Sequence, residues 1–457
     1  MLRLVIAALC LGTMAARTQS VEMLERFAQR MELLERQNAE LREQIRSLRT
    51  ELETVKSSAQ EAAAPVARVE ALEEQVQLQA GRLAEQDQIK MQGANRTPVR
   101  LTGIVLFNAF ANGRHGGGAM DYPVTALATA DRRRSGATLA QSVFGVEFQA
   151  PDAVLGGRFK GSFLLDLSSG DLTPTNTQLR LRTASIEGQW KTRSLMVGQE
   201  KPIFSPREPN SLARLNNSPL TSAGNLWMWR PQVRFEQRIK LGPAQELRAD
   251  IGVSQTRDDL GAVPAQFVPT LEPKRPALEG NFRLTHRIDD FRRIEIAHGF
   301  HFSTTHVAGT AVPARVFSVD WFFNPVRKIE FTGAAFTGKN LAKLGGLNSV
   351  PSFIIQTPRP GQIQVIPVGG RGGWAQLTWL ATSRLSFNLF NGQHHSDHRE
   401  LFAPTTRYKN VVYGANFFYK LAPNVVTGIE ASQVRSWYIA GQHPLNNHFD
   451  LYVAYLF

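Results

Sequence analysis

Two periodicities divide the chain. From about Val99 to Phe457, apolar and polar residues alternate with a period of two, which gives a β-strand two unlike faces. The last stretch shows it best: Phe449, Leu451, Val453, Tyr455 and Phe457 share one face, while Asp450, Tyr452 and Ala454 share the other. Val233, Phe235, Ile239 and Leu241 likewise oppose Arg234, Glu236, Arg238 and Lys240, and Leu247, Ala249, Ile251 and Val253 oppose Arg248, Asp250, Gly252 and Ser254. Such stretches fall near 100–110, 142–150, 156–168, 178–190, 193–200, 230–241, 245–255, 277–288, 292–303, 314–323, 327–338, 372–382, 384–393, 408–420, 424–436 and 446–457. That predicts about sixteen strands. Tight connections alternate with long ones such as 111–141, 200–229, 256–276 and 340–371.

Side chains fill a small soluble barrel, but the charged faces here need water. An apolar outside, a polar inside, short turns at one rim and long loops at the other describe an all-β transmembrane barrel of antiparallel strands. Trp321, Phe323, Trp379, Tyr413 and Tyr419 lie near strand ends on the outward parity, where they would form aromatic belts against the membrane lipids.

Ahead of the barrel the period is seven. Leu24, Met31, Asn38, Ile45 and Leu52 alternate with Phe27, Leu34, Leu41, Leu48 and Val55, the seam of an α-helical coiled coil. At about 1.5 Å per residue these heptads reach roughly 50 Å. A seam of this kind cannot be buried by one helix, so these ten residues predict oligomerisation. We expect a coiled-coil stalk over 21–92, weaker after the interruption at 57–65, and a linker at 93–98. Because both ends of an even-stranded barrel fall on its short-turn side, the stalk is expected in the periplasm.

A net charge of +13 would suit a nucleic-acid partner, but the first residues direct the chain elsewhere. Arg3, the apolar run Leu4–Leu11 and the small Ala15 and Ala16 predict a signal peptide over 1–20. Cys10, the single cysteine, leaves with it, so no disulfide is expected. No other stretch is long and apolar enough for a spanning helix.

The leader carries two arginines and the stalk an excess of four acids, which leaves the barrel portion near +15. Arg158, Lys160, Arg180, Arg182, Arg234, Arg238, Lys240, Arg248, Arg283 and Arg287 have inward parity and are the expected pore lining. Fixed guanidinium groups in a water-filled pore favour small anions, carboxylates and phosphates above all. The alternative is that these cations pair with Glu187, Glu236 or Asp250 and select little. The loop 200–229 carries Lys201, Arg207 and Arg214, candidates for a constriction if the loop folds inward, or for a protomer contact if it does not.

His394, His395, Asp397 and His398 crowd one segment, read as an external loop, but lack closed metal-ligand spacing, so no metal or other cofactor is expected. Gly116–Gly118 and Gly369–Gly373 read as flexible connections, not phosphate loops. No Ser, His and Asp are ordered as a triad, so no enzyme activity is expected.

The terminal strand with Tyr455 and Phe457 resembles the C-terminal insertion signal of Gram-negative outer-membrane proteins, which is presented to the barrel-assembly machinery. With the opening LTGIVLFNAF from Leu101, the block LRLRTASIEGQW from Leu179 into LMVGQEKPIFSP, and RPQVRF at Arg230–Phe235, the layout resembles the DcaP-like trimeric outer-membrane porins. These join a signal peptide and a periplasmic coiled coil to a sixteen-stranded barrel. The resemblance implies a homotrimer and uptake of small, mostly negatively charged solutes such as dicarboxylates, and sixteen-stranded porins generally fold the third long loop inward as a constriction. The competing reading is a structural or adhesive envelope protein whose barrel only anchors the coil.

Overall fold

The computed structural model describes residues 40, 43–44, 46–51, 99–116, 122–150, 155–168, 178–215, 217–256, 265–270, 276–307, 309–341, 344–347, 351, 353–359 and 362–457. The expected signal peptide, the linker and every seam position of the stalk except Leu48 lie outside these residues. The described residues between 40 and 51 are α-helical, with an ion pair from Arg46 to Glu43 one turn earlier.

The remainder is a barrel built from β1 (Val99–Asn112), β2 (Arg134–Thr138), β3 (Val143–Gln149), β4 (Arg158–Ser168), β5 (Gln178–Gln189), β6 (Arg193–Glu200), β7 (Arg230–Lys240), β8 (Gln245–Ser254), β9 (Ala277–Arg287), β10 (Arg293–Val307), β11 (Thr310–Val326), β12 (Ile329–Lys339), β13 (Phe353–Arg359), β14 (Gln362–Pro367), β15 (Gly369–Leu380), β16 (Leu385–Ser396), β17 (Arg407–Ala422), β18 (Val425–Tyr438) and β19 (Leu445–Leu456). Each strand pairs antiparallel with its neighbour, and β19 closes on β1 with Phe107 opposite Val453. β2 and β3 lie in line along one edge of β1 and together make one stave. At the break between them Ser142 Oγ accepts from the Leu106 amide at 3.0 Å, so a side chain replaces the missing ladder carbonyl. The circumference is therefore sixteen strands, and closure leaves the barrel wall without a free edge.

All sixteen expected strands are present. The short β2 and the separate hairpin β13–β14 were not anticipated. Gly369–Gly373, expected as a flexible connection, instead opens β15 and is paired on both sides. The link between β10 and β11 is only 308–309, because both strands continue past the predicted ends.

Burial is inverted relative to a soluble protein. Leu195, Val197, Val233, Phe235, Ile251, Val253, Leu451 and Val453 are exposed on the outer wall, while Asp166, Glu236, Asp250, Glu279, Asn281, Asp320, Glu430 and Asp450 are buried inside. Water-facing exteriors are not built this way; a hydrocarbon-facing one must be. Trp379, Tyr413 and Tyr419 are exposed on the same outer wall.

Candidate functional site: the lumen and its inserted loop

The loop between β6 and β7, 201–229, turns into the barrel. The strand walls receive it with apolar residues that point inward against the general pattern. Phe204 and Leu226 pack with Val316 and Phe336; Leu220 and Ala223 with Trp374, Phe390, Val412 and Val434; Leu212 and Leu215 with Leu106, Tyr452 and Ala454. Glycines allow the backbones to touch. A Cβ on Gly299 would lie 2.2 Å from the Phe204 carbonyl, and one on Gly224 (φ 100°) would lie 2.1 Å from that of Gly373.

Polar side chains of the wall then fix the loop's backbone. The Ile203 amide donates to Glu279 (3.0 Å), the Asn210 amide to Gln376 (2.8 Å) and the Leu215 amide to Gln141 (2.7 Å). Asn108 donates to the Leu212 carbonyl and Asn410 to that of Ser222. Tyr122, from the first long loop, donates to Glu430 at 3.0 Å beside Ser211, which donates to the same carboxylate at 2.6 Å. Burial and the neighbouring Glu430 charge push the Tyr122 hydroxyl up, so it remains a donor.

The three loop cations are placed differently. Arg207 bridges Glu295 on β10 and Asp320 on β11, with Arg283 3.6 Å from Asp320. Lys201 pairs within the loop with Glu208 at 2.5 Å. Arg214 is largely buried over the Tyr122 ring and donates to that residue's carbonyl. Burial of this kind has no signature in a one-dimensional pattern.

All ten expected pore-lining cations have inward register, and they concentrate on β4, β5 and β7–β9. Cross-strand pairing sets Arg238 beside Arg248 and Arg248 beside Arg283, a row of three guanidinium groups on adjacent strands. Directly opposed like charges repel. Acids from neighbouring rows hold this one: Arg238 to Glu236 (2.6 Å), Arg248 to Glu236 (2.7 Å) and Asp250 (2.9 Å). Arg180 forks onto Asp166 (3.1 and 2.7 Å) and, with Arg182, lies over the Trp229 ring of the loop. Lys160 is 3.4 Å from Glu187.

Pairing is incomplete. Among the described residues, no acidic side chain lies within ion-pair distance of Arg158, Arg234, Lys240 or Arg287. Of these, Arg158, Lys240 and Arg287 are exposed near the short-turn ends of their strands. A cavity of about 520 Å³ at this end is lined by Arg238, Arg248, Arg283, Arg287 and Arg293 with fewer acids. The opposite wall is mainly neutral: Gln376, Thr378, Asn388 and Asn416 form a hydrogen-bonded ladder there.

Only half of the histidine cluster lies in a loop: Asp397 and His398 are in the connection from β16 to β17. His394 and His395 are in β16, whose alternation buries His394 inside and leaves His395 on the outer wall. The residues sequence reasoning missed are the acids and amides that seat the loop, Glu279, Gln376, Asn108 and Asn410. Their available signal was the unusual density of Asn and Gln at inward positions.

No protein-family model matches the sequence, and no curated protein does. Solved structures do. The crystal structure of the outer membrane channel DcaP of Acinetobacter baumannii superposes with a TM-score of 0.62 at 18% identity, covering 79% of this chain and 97% of that one. The anion-selective porin from Comamonas acidovorans gives 0.51 at 10% identity, covering 79% and 100%. The sequence resemblance is thus met in three dimensions: this chain has the sixteen-stranded barrel fold of the DcaP channel and of outer-membrane porins.

Proposed function

We propose that the protein is a passive outer-membrane porin of the DcaP-like kind that favours small anions, carboxylates in particular. The observation that carries this reading is the arginine row of β7–β9 beside lumenal cations with no acidic partner among the described residues. A dense set of guanidinium groups that its acids do not fully neutralise attracts anions into a narrow aqueous space. The inserted loop narrows the passage, and the short-turn rim carries the exposed cations. The anion selectivity stated for the Comamonas porin is in keeping with this.

In this reading the protein is a homotrimer, with the short turns and the coiled coil of 21–92 in the periplasm after removal of the leader. Phe457 and Tyr455 serve as the insertion signal. A purely structural or adhesive role is disfavoured by the investment in charged lumenal side chains, which an inert anchor does not need.

The test is planar-bilayer recording under a salt gradient, comparing wild type with Arg158→Gln/Lys240→Gln/Arg287→Gln. These side chains are exposed and have no ion-pair partner among the described residues, so their replacement should leave folding intact. Three equal conductance steps and an anion-selective reversal potential that moves toward zero in the variant are expected. A barrel that never conducts, or one that selects cations, overturns the proposal.

A further inference from the structure

The outer wall carries a charge pattern that the pore does not use. At the outward positions of the sixteen staves there is not one described Asp or Glu; every acidic strand residue has inward register. Cations do point outward, and they gather on the loop-side half of β11–β18: Arg315, Lys339, Arg371, Lys409 and Arg435. A charge on the lipid face is costly at the membrane midplane and tolerated only close to the headgroups.

Three groups stand in one row. Arg371 is paired with His395, and His395 with Lys409, so they project side by side from β15, β16 and β17. Lys409 is steadied over the Trp437 ring at 4.6 Å. The row borders a groove of about 700 Å³ on the outer wall, floored by Ala335 and Gly372 and walled on the other side by Phe317 and Val319. The cations stand on one side of the groove and Phe317, Val319 and Ala335 on the other, with the neutral His298, Thr337 and Gln393 between and beside them, so an anionic head and an apolar chain would find separate places in it.

We propose that this groove binds a phosphorylated acyl glycolipid of the outer leaflet, with the phosphate held by Arg371 and Lys409 and an acyl chain lying against Phe317 and Val319. Arg and Lys together supply forked and point-like donors to phosphate oxygens. A second copy of the barrel is a poor occupant, because its outer strands offer no carboxylate to meet the row. The proposal rests on the membrane orientation given above, with loops outside, and not on transport.

Delipidated full-length protein in detergent would be titrated with diphosphoryl lipid A, its dephosphorylated form and inorganic pyrophosphate, with bound ligand read by native mass spectrometry. Arg371→Gln/Lys409→Gln is compared with Arg193→Gln, which removes an outward cation on the distant β6. Expected is at least a tenfold loss of diphosphoryl lipid A binding in the double variant only, no binding of the dephosphorylated lipid, weak competition by pyrophosphate, and unchanged conductance and anion selectivity. Equal binding by all variants, or of the dephosphorylated lipid, overturns the site. Pyrophosphate binding as tight as the lipid's assigns it to free phosphate instead. Dissociation of the oligomer in the double variant would make the face a subunit interface. Lost conductance in wild type would sink the porin reading while leaving lipid binding to be judged on its own.

Discussion

Glu279→Gln would show how strongly the wall holds the inserted loop. Glu279 and Arg230 are fully buried partners in an ion pair. The same carboxylate accepts from Ser254 Oγ (2.9 Å), contacts His301 Nδ1 (2.8 Å) and takes the Ile203 amide where the loop begins. The amide keeps the shape but removes the charge, leaving Arg230 buried without its counter-ion. Breaking one side of such a pair costs about 3–5 kcal/mol, whereas losing a neutral hydrogen bond costs only about 1 kcal/mol. The folding constant should therefore fall by roughly two to three and a half orders of magnitude. Replacing both partners, Arg230→Met/Glu279→Met, removes the unpaired charge and should cost clearly less than the single change. The assay is urea unfolding of the barrel in detergent or lipid vesicles, followed by tryptophan fluorescence in both directions. A single variant that loses under about 1 kcal/mol, or a double variant worse than the single, would refute the idea that buried charge pairing anchors the loop.

Gly299→Ala should push the loop off β10, because its methyl would meet the Phe204 carbonyl and Ser318 Oγ; raised single-channel conductance with a stability loss of about 1–3 kcal/mol is expected, and unchanged conductance would show that Phe204 does not set the passage. In the turn after β9, hydrogen bonds from the Arg292 backbone amide and then its side chain, with the Phe291 amide, hold the Asp289 carboxyl down to about 2. A lowered folded-state pKa stabilises above the unfolded value near 4 and is lost as pH falls toward 2. Asp289→Asn should accordingly lower the urea midpoint at pH 7 and make little difference at pH 2, and an equal shift at both would contradict this.

Alternation alone was enough to locate sixteen staves and to say which face of each meets lipid, because a strand has only two faces and hydrocarbon tolerates only one kind of residue. The outward Val233, Phe235, Leu451 and Val453 and the inward Arg234, Glu236 and Asp450 follow directly. Local pattern could not say where the loop 201–229 goes. Its seat is assembled from Phe204 with Val316, Leu220 with Val412 and Leu212 with Tyr452, pairs far apart in the chain. A hint was present in Phe336, Phe390, Val412 and Val434, apolar residues on faces that should be polar, but only closure of the barrel gives them something to bury. The same holds for charge. The sequence determined that Arg238, Arg248 and Arg283 point inward; register set them side by side, supplied Glu236 and Asp250 as partners, and left Arg158, Lys240 and Arg287 without any among the described residues. Parity is a property of one strand, whereas pairing, burial and the path of a loop depend on distances between strands that only the closed barrel fixes.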